Sequence, residues 1–161
     1  MVRHAHRDTS DRLQDNGLSP KGADQARALR KFFASRFGRE ELSEGLWLVS
    51  SPKKRCIETL EPIAKLVGSS LDINPDLVEQ KSSESAHNLA LRVQKFLDEW
   101  AKNKAKVCVL CSHGDWLPIA ISQILGFHHE MKKGSWFELE WIGTKAQLKW
   151  YIPNFKKIDL R

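Results

Sequence analysis

The sequence predicts an α/β fold, a three-layer sandwich with a mostly parallel sheet flanked by helices and an antiparallel C-terminal edge. Three observations predict it. Short apolar runs at Leu46–Ser50 and Val107–Ser112 alternate with longer stretches of helical periodicity, as crossover units that build parallel sheets do. Residues 135–142 and 147–152 alternate around Gly143-Thr144-Lys145, the pattern of a hairpin. Each strand-like run also delivers a basic residue just past its carboxyl end, the edge at which open α/β sheets bind ligands.

Taken in order, Val2-Arg3-His4-Ala5 reads as a strand end running into the polar loop 8–17. Ser19 offers an N-cap and Pro20 a first-turn proline, and Ala26, Leu29, Phe33 and Phe37 then recur at helical spacing until Gly38. Residues 53–67 read as a second helix with Ile57, Leu60, Ala64 and Val67 on one side. Pro62 inside it predicts a kink or a delayed start, and Gly68 a stop. Residues 71–73 suggest a short strand, and 75–85 a loop. Residues 86–103 form the longest amphipathic stretch, with Leu89, Val93, Phe96 or Leu97, and Trp100 inward. After Val107–Ser112, Asp115 caps a helix over Trp116–Leu125 that tolerates Pro118 in its first turn and ends at Gly126. One domain over residues 1–161 is expected, with no sizeable cap inserted, because only about sixty residues separate Arg55 from His113.

The charge favours anionic ligands: 26 Lys and Arg against 20 Asp and Glu give a formal +6. The basic residues are spread rather than blocked, which argues against nucleic acid. No run approaches the roughly 20 apolar residues that span a bilayer, and no signal peptide is visible. Three unpatterned cysteines fit a reducing, cytoplasmic setting. Cys108 and Cys111 stand three apart on a strand, so they should face opposite sides.

The chemistry lies in the strand ends. Arg3 and His4 converge on one ligand only because the strand breaks into a turn immediately after them. Arg55 follows Ser51-Pro52, and His113 follows the run ending in Ser112. Two guanidinium forks match phosphate oxygens in a bidentate way, and a neutral imidazole is a competent nucleophile toward phosphorus. The set suits a phosphoryl group.

In this order, Arg3-His4-Ala5, the stretch from Leu18-Ser19-Pro20 to Gln25-Ala26, Ser50-Ser51-Pro52-Lys53-Lys54-Arg55, Leu77-Val78-Glu79 and Ser112-His113-Gly114 resemble the histidine phosphatase superfamily. That family includes phosphoglycerate mutases and small bacterial phosphohistidine phosphatases, and the chain is closest in size to the latter. The resemblance implies phosphatase activity through in-line attack of one His4 nitrogen on phosphorus, with a covalent phosphohistidine intermediate. It gives Arg3 and Arg55 the nonbridging oxygens, His113 a hydrogen bond to the phosphoryl group and Glu79 the proton transfers, with Glu84 and Asp115 as fallbacks. No metal and no cofactor is implied, and the substrate is a phosphorylated small molecule or a phosphoprotein. Arg7, Ser10 and Gly114 complete the expected substrate-binding set, although Arg7 and Ser10 replace the small hydroxyl and Asn that mutases carry there. Trp116, His87 and Lys81 stand where the pocket mouth is expected, Trp116 rather as a packing residue at a helix start. Relatives carry several apolar residues ahead of the Arg-His pair. Here only Met1 and Val2 precede it, so the first strand is very short or the chain has an upstream piece.

Three other readings stay open. A phosphoglycerate-mutase-like phosphotransferase uses the same residues. A phosphate-binding interaction module would keep them without turnover. His4-x-His6-x-Asp8 also mimics a metallohydrolase ligand run.

Overall fold

The computed structural model describes residues 1–11 and 13–155. Its strands are β1 (Val2–Arg3), β2 (Leu46–Ser50), β3 (Asp72–Ile73), β4 (Val107–Ser112), β5 (Trp136–Ile142) and β6 (Lys145–Ile152). They form one sheet in the order β3-β2-β4-β1-β5-β6. The pairs β2/β3, β2/β4 and β1/β4 are parallel, and β5 and β6 close the sheet antiparallel. The predicted fold class holds.

Although β1 has two residues, it lies between β4 and β5, with Val2 fully buried beside Cys111 and Trp136. The ladder runs on past it: His4 N–H donates to the Ser112 carbonyl at 3.1 Å and Arg3 N–H to that of Ser135 at 3.2 Å. Backbone pairing on both sides, rather than strand length, holds the segment that carries His4.

Strand alternation sorts the core into two layers. Val49 and Leu110 face one side, where α4 (Ala86–Lys102) and α5 (Trp116–Leu125) pack with Leu89, Val93, Phe96, Leu117 and Ile121. Leu48, Val109 and Cys111 face the other, against α1 (Pro20–Arg36) and α3 (Lys54–Val67) with Leu29, Phe33, Leu60 and Ile63. Cys108 packs on the first side and Cys111 on the second, as their spacing predicts.

The caps at Ser19, Asp115, Gly68 and Gly126 fall where expected, and Ser85 adds one that the sequence reading did not name. Ser19 accepts from Gly22 N–H and Ser85 from Asn88 N–H, while Gly68 and Gly126 end their helices in the left-handed region at φ 67° and 77°. Four details differ from the sequence reading. The second helix starts at Lys54 and runs through Pro62, so there is no delayed start. One missing N–H is tolerated there because the helix face of Cys56, Leu60 and Ile63 is fully buried. Gly38 opens a short helix, α2 (Arg39–Ser43), its N–H on the Glu41 carboxylate, instead of only closing α1. Pro75–Leu77 forms a single 3-10 turn in the expected loop, and Lys145 belongs to β6 rather than to the turn. Among the described residues no helix is long and apolar enough to cross a membrane.

Candidate active site

The carboxyl ends of β1, β2 and β4 meet at one edge of the sheet, and the chemistry gathers there. His4 follows β1 directly and is 5% exposed. The next N–H, that of Ala5, is taken by Thr59 Oγ1 at 3.0 Å, and the Thr59 hydroxyl donates back to the Arg55 carbonyl at 2.6 Å. His4 is therefore tied to β4 on one side and to α3 on the other. Its Nδ1 lies 2.8 Å from the Ala5 carbonyl oxygen. A carbonyl only accepts, so Nδ1 carries the proton and the Nε2 lone pair is free. Burial pushes the ring down to about 3. The Ala5 hydrogen bond opposes this shift, and the charges of His113, Arg55 and Arg3 add to it. The imidazole is neutral near neutral pH.

His113 ends the β4 segment and is 1% exposed, its ring centroid 5.3 Å from that of His4. Nε2 lies 2.9 Å from Ser51 Oγ and 3.5 Å from Cys56 Sγ. Nδ1 lies 3.2 Å from Arg55 Nη2 and 3.5 Å from a Glu79 carboxylate oxygen. Burial, then the charges of Arg55, Lys53, Arg3 and Arg92, pushes this ring down to about 3 as well.

Arg55 sits in the first turn of α3, 2% exposed, and points back under His113. Its Nη2 donates to Glu79, and Nη1 lies 3.5 Å from Asp15. Arg3 donates from Nη1 to the Met131 carbonyl at 2.5 Å and lies flat on Gly114. A Cβ at residue 114 would fall 2.4 Å from Arg3 Cζ, so only glycine leaves room for the guanidinium. Burial lowers the Arg3 pKa, while Asp115 and Glu130 oppose the shift. The Nε atoms of both arginines are buried without a hydrogen-bond partner. Two cations thus flank two neutral imidazoles with donor capacity to spare, an arrangement whose chemistry suits an anion.

Glu79 reaches the same place from the loop after the 3-10 turn. Its side chain is 39% exposed and pairs with Arg55. The loop is latched from behind by Arg92 of α4, which donates to the carbonyls of Asp76, Val78 and Glu79 and clamps Glu84 through Nε at 2.8 Å and Nη2 at 2.6 Å. Arg92 holds the Glu84 carboxyl down to about 2, so Glu84 is a structural partner rather than a spare acid. Asp115 accepts from Trp116 N–H and Gln80 N–H, a cap and a loop tie.

Among the described residues the remaining expected residues share no hydrogen bond with this cluster. Ser10 is exposed, and its hydroxyl donates to Asp8. Arg7 forms an isolated bridge with Leu18 at the neck of the 8–17 loop. Among the described residues no hydrogen bond joins Arg7 or Ser10 to the four basic residues. Trp116 is fully buried and donates to the Asp76 carbonyl, a packing residue as expected. His87 and Lys81 are exposed. The His6 ring pairs with Ser19 Oγ at 3.0 Å, and Asp8 accepts from Ser10, so His4, His6 and Asp8 have separate partners. Asp15, Ser51 and Arg92 belong to the site or its support and escaped the sequence reading. Ser51 alone had a signal, its place in Ser50-Ser51-Pro52.

The family model of the histidine phosphatase superfamily (branch 1) matches residues 1–83, a span that carries Arg3, His4, Arg55 and Glu79. A search of curated proteins finds no match. Solved structures do match. A putative alpha-ribazole-5'-P phosphatase from Escherichia coli superposes with a TM-score of 0.80 at 15% identity, covering 99% of this chain and 97% of that one. A mycobacterial glucosyl-3-phosphoglycerate phosphatase gives 0.75 at 18%, covering 92% and 95%. A phosphoserine phosphatase from Entamoeba histolytica, with 3-phosphoglyceric acid bound, gives 0.71 at 16%, covering 93% of each chain. At these identities the structures share the fold. The sequence match extends over more than half of the residues and includes the β1 turn, and by it the chain belongs to the histidine phosphatase superfamily.

Proposed function

We propose that this protein is a metal-independent phosphatase that hydrolyses a phosphomonoester through a covalent phosphohistidine on His4. The observation that carries the reading is the wiring of His4. Its Nδ1 proton is committed to the Ala5 carbonyl, so a neutral ring offers Nε2 to a phosphorus atom held by Arg3 and Arg55.

In the first step Nε2 attacks phosphorus in line, the P–O ester bond breaks and its electrons go to the leaving oxygen. Arg3, Arg55 and His113 stabilise the charge on the nonbridging oxygens, and each such donor is worth roughly 10²–10³-fold in rate. A phosphoryl group entering between the arginines takes over the Arg55 donors and frees Glu79 to face the leaving oxygen, to which it gives a proton. In the second step water attacks phosphorus, Glu79 takes its proton, the P–N bond breaks and Nε2 recovers its lone pair.

The position of Glu79 favours an ester over a phosphohistidine substrate, because a phosphoramidate departs with less help from an acid. The neighbours are named for small phosphorylated molecules, which supports a substrate of that kind. The deciding experiment is rapid quenching with a labelled phosphomonoester. An acid-labile, base-stable label on His4 is expected, and label on His113 or none at all would overturn the scheme.

A further inference from the structure

A half-buried cation without a counter-ion is costly, because the charge loses water and gains no partner. Arg36 and Arg92 avoid that cost through the carboxylates of Glu138 and Glu84, each at 2.6 Å. Arg7, Lys53 and Lys133 are half-buried too, yet among the described residues none of the three forms an ion pair or a side-chain hydrogen bond. All three stand in segments at the edge that holds His4 and His113. Arg7 follows the turn after His4, Lys53 opens α3 just ahead of Arg55, and Lys133 lies in the loop before β5.

That last loop is built onto the site. Its Met131 carbonyl accepts from Arg3, and its Gly134 N–H lies 3.1 Å from the Arg3 carbonyl and 3.0 Å from that of His4. Between them, the Lys133 carbonyl accepts from Gln25 Nε2 at 3.1 Å, and Gln25 Oε1 accepts from His6 N–H at 2.9 Å. Gln25 is buried, so one side chain ties Lys133 to the segment that carries Arg7. Burial, then the charges of Arg3, Arg7, Arg55 and Lys21, lowers the Lys133 pKa. This face therefore gathers more positive charge than a single phosphoryl group held by Arg3 and Arg55 would use.

We propose that Lys133 and Arg7 form a second anion subsite beside the phosphoryl pocket, which selects small phosphomonoesters whose alcohol part carries a carboxylate or a second phosphate. The turnover part of this inference rests on the phosphatase reading. With the phosphoryl group between Arg3 and Arg55, the second anion is the counter-ion that Lys133 and Arg7 lack. Lys53 adds positive charge from the α3 side, where it also acts on the His113 ring. A tail ending in an ammonium meets like charge, so the subsite discriminates by repulsion as well as by attraction.

The test uses alkyl phosphates of two to four carbons whose far end is a carboxylate, a phosphate, a hydroxyl or an ammonium. For wild type, KM is expected to be roughly 10–100-fold lower for the two anionic tails than for the hydroxyl, the worth of a hydrogen bond to a charged group, and highest for the ammonium. Lys133→Met is expected to remove most of this preference with kcat nearly unchanged, because the contact is alike in ground and transition states. Arg7→Met should act in the same direction, and Lys133→Arg should restore the preference. Lys104→Gln removes the same charge from an exposed residue ahead of β4, at the opposite edge of the sheet, and should leave the preference intact. Preference for one anionic tail alone would identify the second group. Equal KM for all tails in wild type, a preference that survives Lys133→Met, or an equal loss in Lys104→Gln overturns the subsite. If no ester is turned over, the phosphatase reading fails, and calorimetric binding of the same esters decides the subsite separately. Tighter binding of anionic tails that Lys133→Met abolishes supports it, and equal binding overturns it.

Discussion

The rings of His4 and His113 lie 5.3 Å apart and are tilted by 56°, both buried and both neutral. Two imidazolium ions so close, beside Arg3 and Arg55, would repel each other and leave no lone pair for attack. Burial removes that conflict by keeping both rings unprotonated. The cationic charge of the site then rests on the guanidinium groups of Arg3 and Arg55.

Removing the nucleophile should separate chemistry from folding. His4→Ala is expected to abolish turnover on alkyl and aryl phosphates alike while leaving the circular dichroism spectrum unchanged, because the backbone ties to Ser112 and Thr59 do not involve the ring. Retained turnover above background on either substrate would count against His4.

Glu79→Gln should instead discriminate between leaving groups. Alkyl phosphates are expected to slow by roughly 10²–10⁴-fold, the usual size of general acid catalysis, and an activated aryl ester much less. Equal slowing of both, or of neither, would remove Glu79 from the mechanism and return phosphohistidine substrates to favour.

Activity is expected to survive EDTA, because the arginines and His113 supply the charge stabilisation that a metal would otherwise bring. Complete loss restored by zinc or manganese would favour the His4, His6 and Asp8 metal reading.

Acid stability follows from the buried rings. Both histidines fall from an ordinary 6.5 to about 3 on folding. The unfolded chain therefore binds more protons between those values, and stability drops as pH falls from 6.5 toward 3. Above that window the two rings add no slope. Urea midpoints measured from about pH 7 down to about pH 4.5 should decline steadily. His113→Asn should flatten the decline, and an unchanged slope in that variant would show that other groups cause it.

The Arg92 latch gives a fifth test. Arg92→Ala removes the guanidinium donors to Glu84 and to three loop carbonyls and should destabilise the fold by roughly 1–3 kcal/mol. It should also slow alkyl esters more than aryl ones, since the loop it holds carries Glu79. A melting temperature and leaving-group profile both equal to wild type would contradict the latch.

Local order determined much of this protein in sequence. Ser19-Pro20 and Asp115 announce helix starts because their side chains cap their own neighbours, and Gly68 and Gly126 mark ends because only glycine enters the left-handed region cheaply. Strand alternation placed Cys108 and Cys111 on opposite faces, and the basic residues after the strand ends marked the edge where Arg3, His4, Arg55 and His113 meet. Tertiary structure decided the rest, because the deciding contacts join residues far apart in the chain. A two-residue β1 takes a central place through pairing with β4 and β5, which nothing in Met1 or Val2 announces. Pro62 stays helical because its helix is buried against the sheet. Arg7 and Ser10 follow His4 closely, yet the Arg7 backbone pairs with Leu18 and the Ser10 hydroxyl with Asp8, while Asp15 and Glu79 reach Arg55 from two different loops. The proton of His4 is placed by an adjacent carbonyl, whereas the ring of His113 meets Ser51 and Arg55, sixty-two and fifty-eight residues away in sequence. Hydrogen-bond partners in three dimensions assign protons, and spacing along a chain does not specify them.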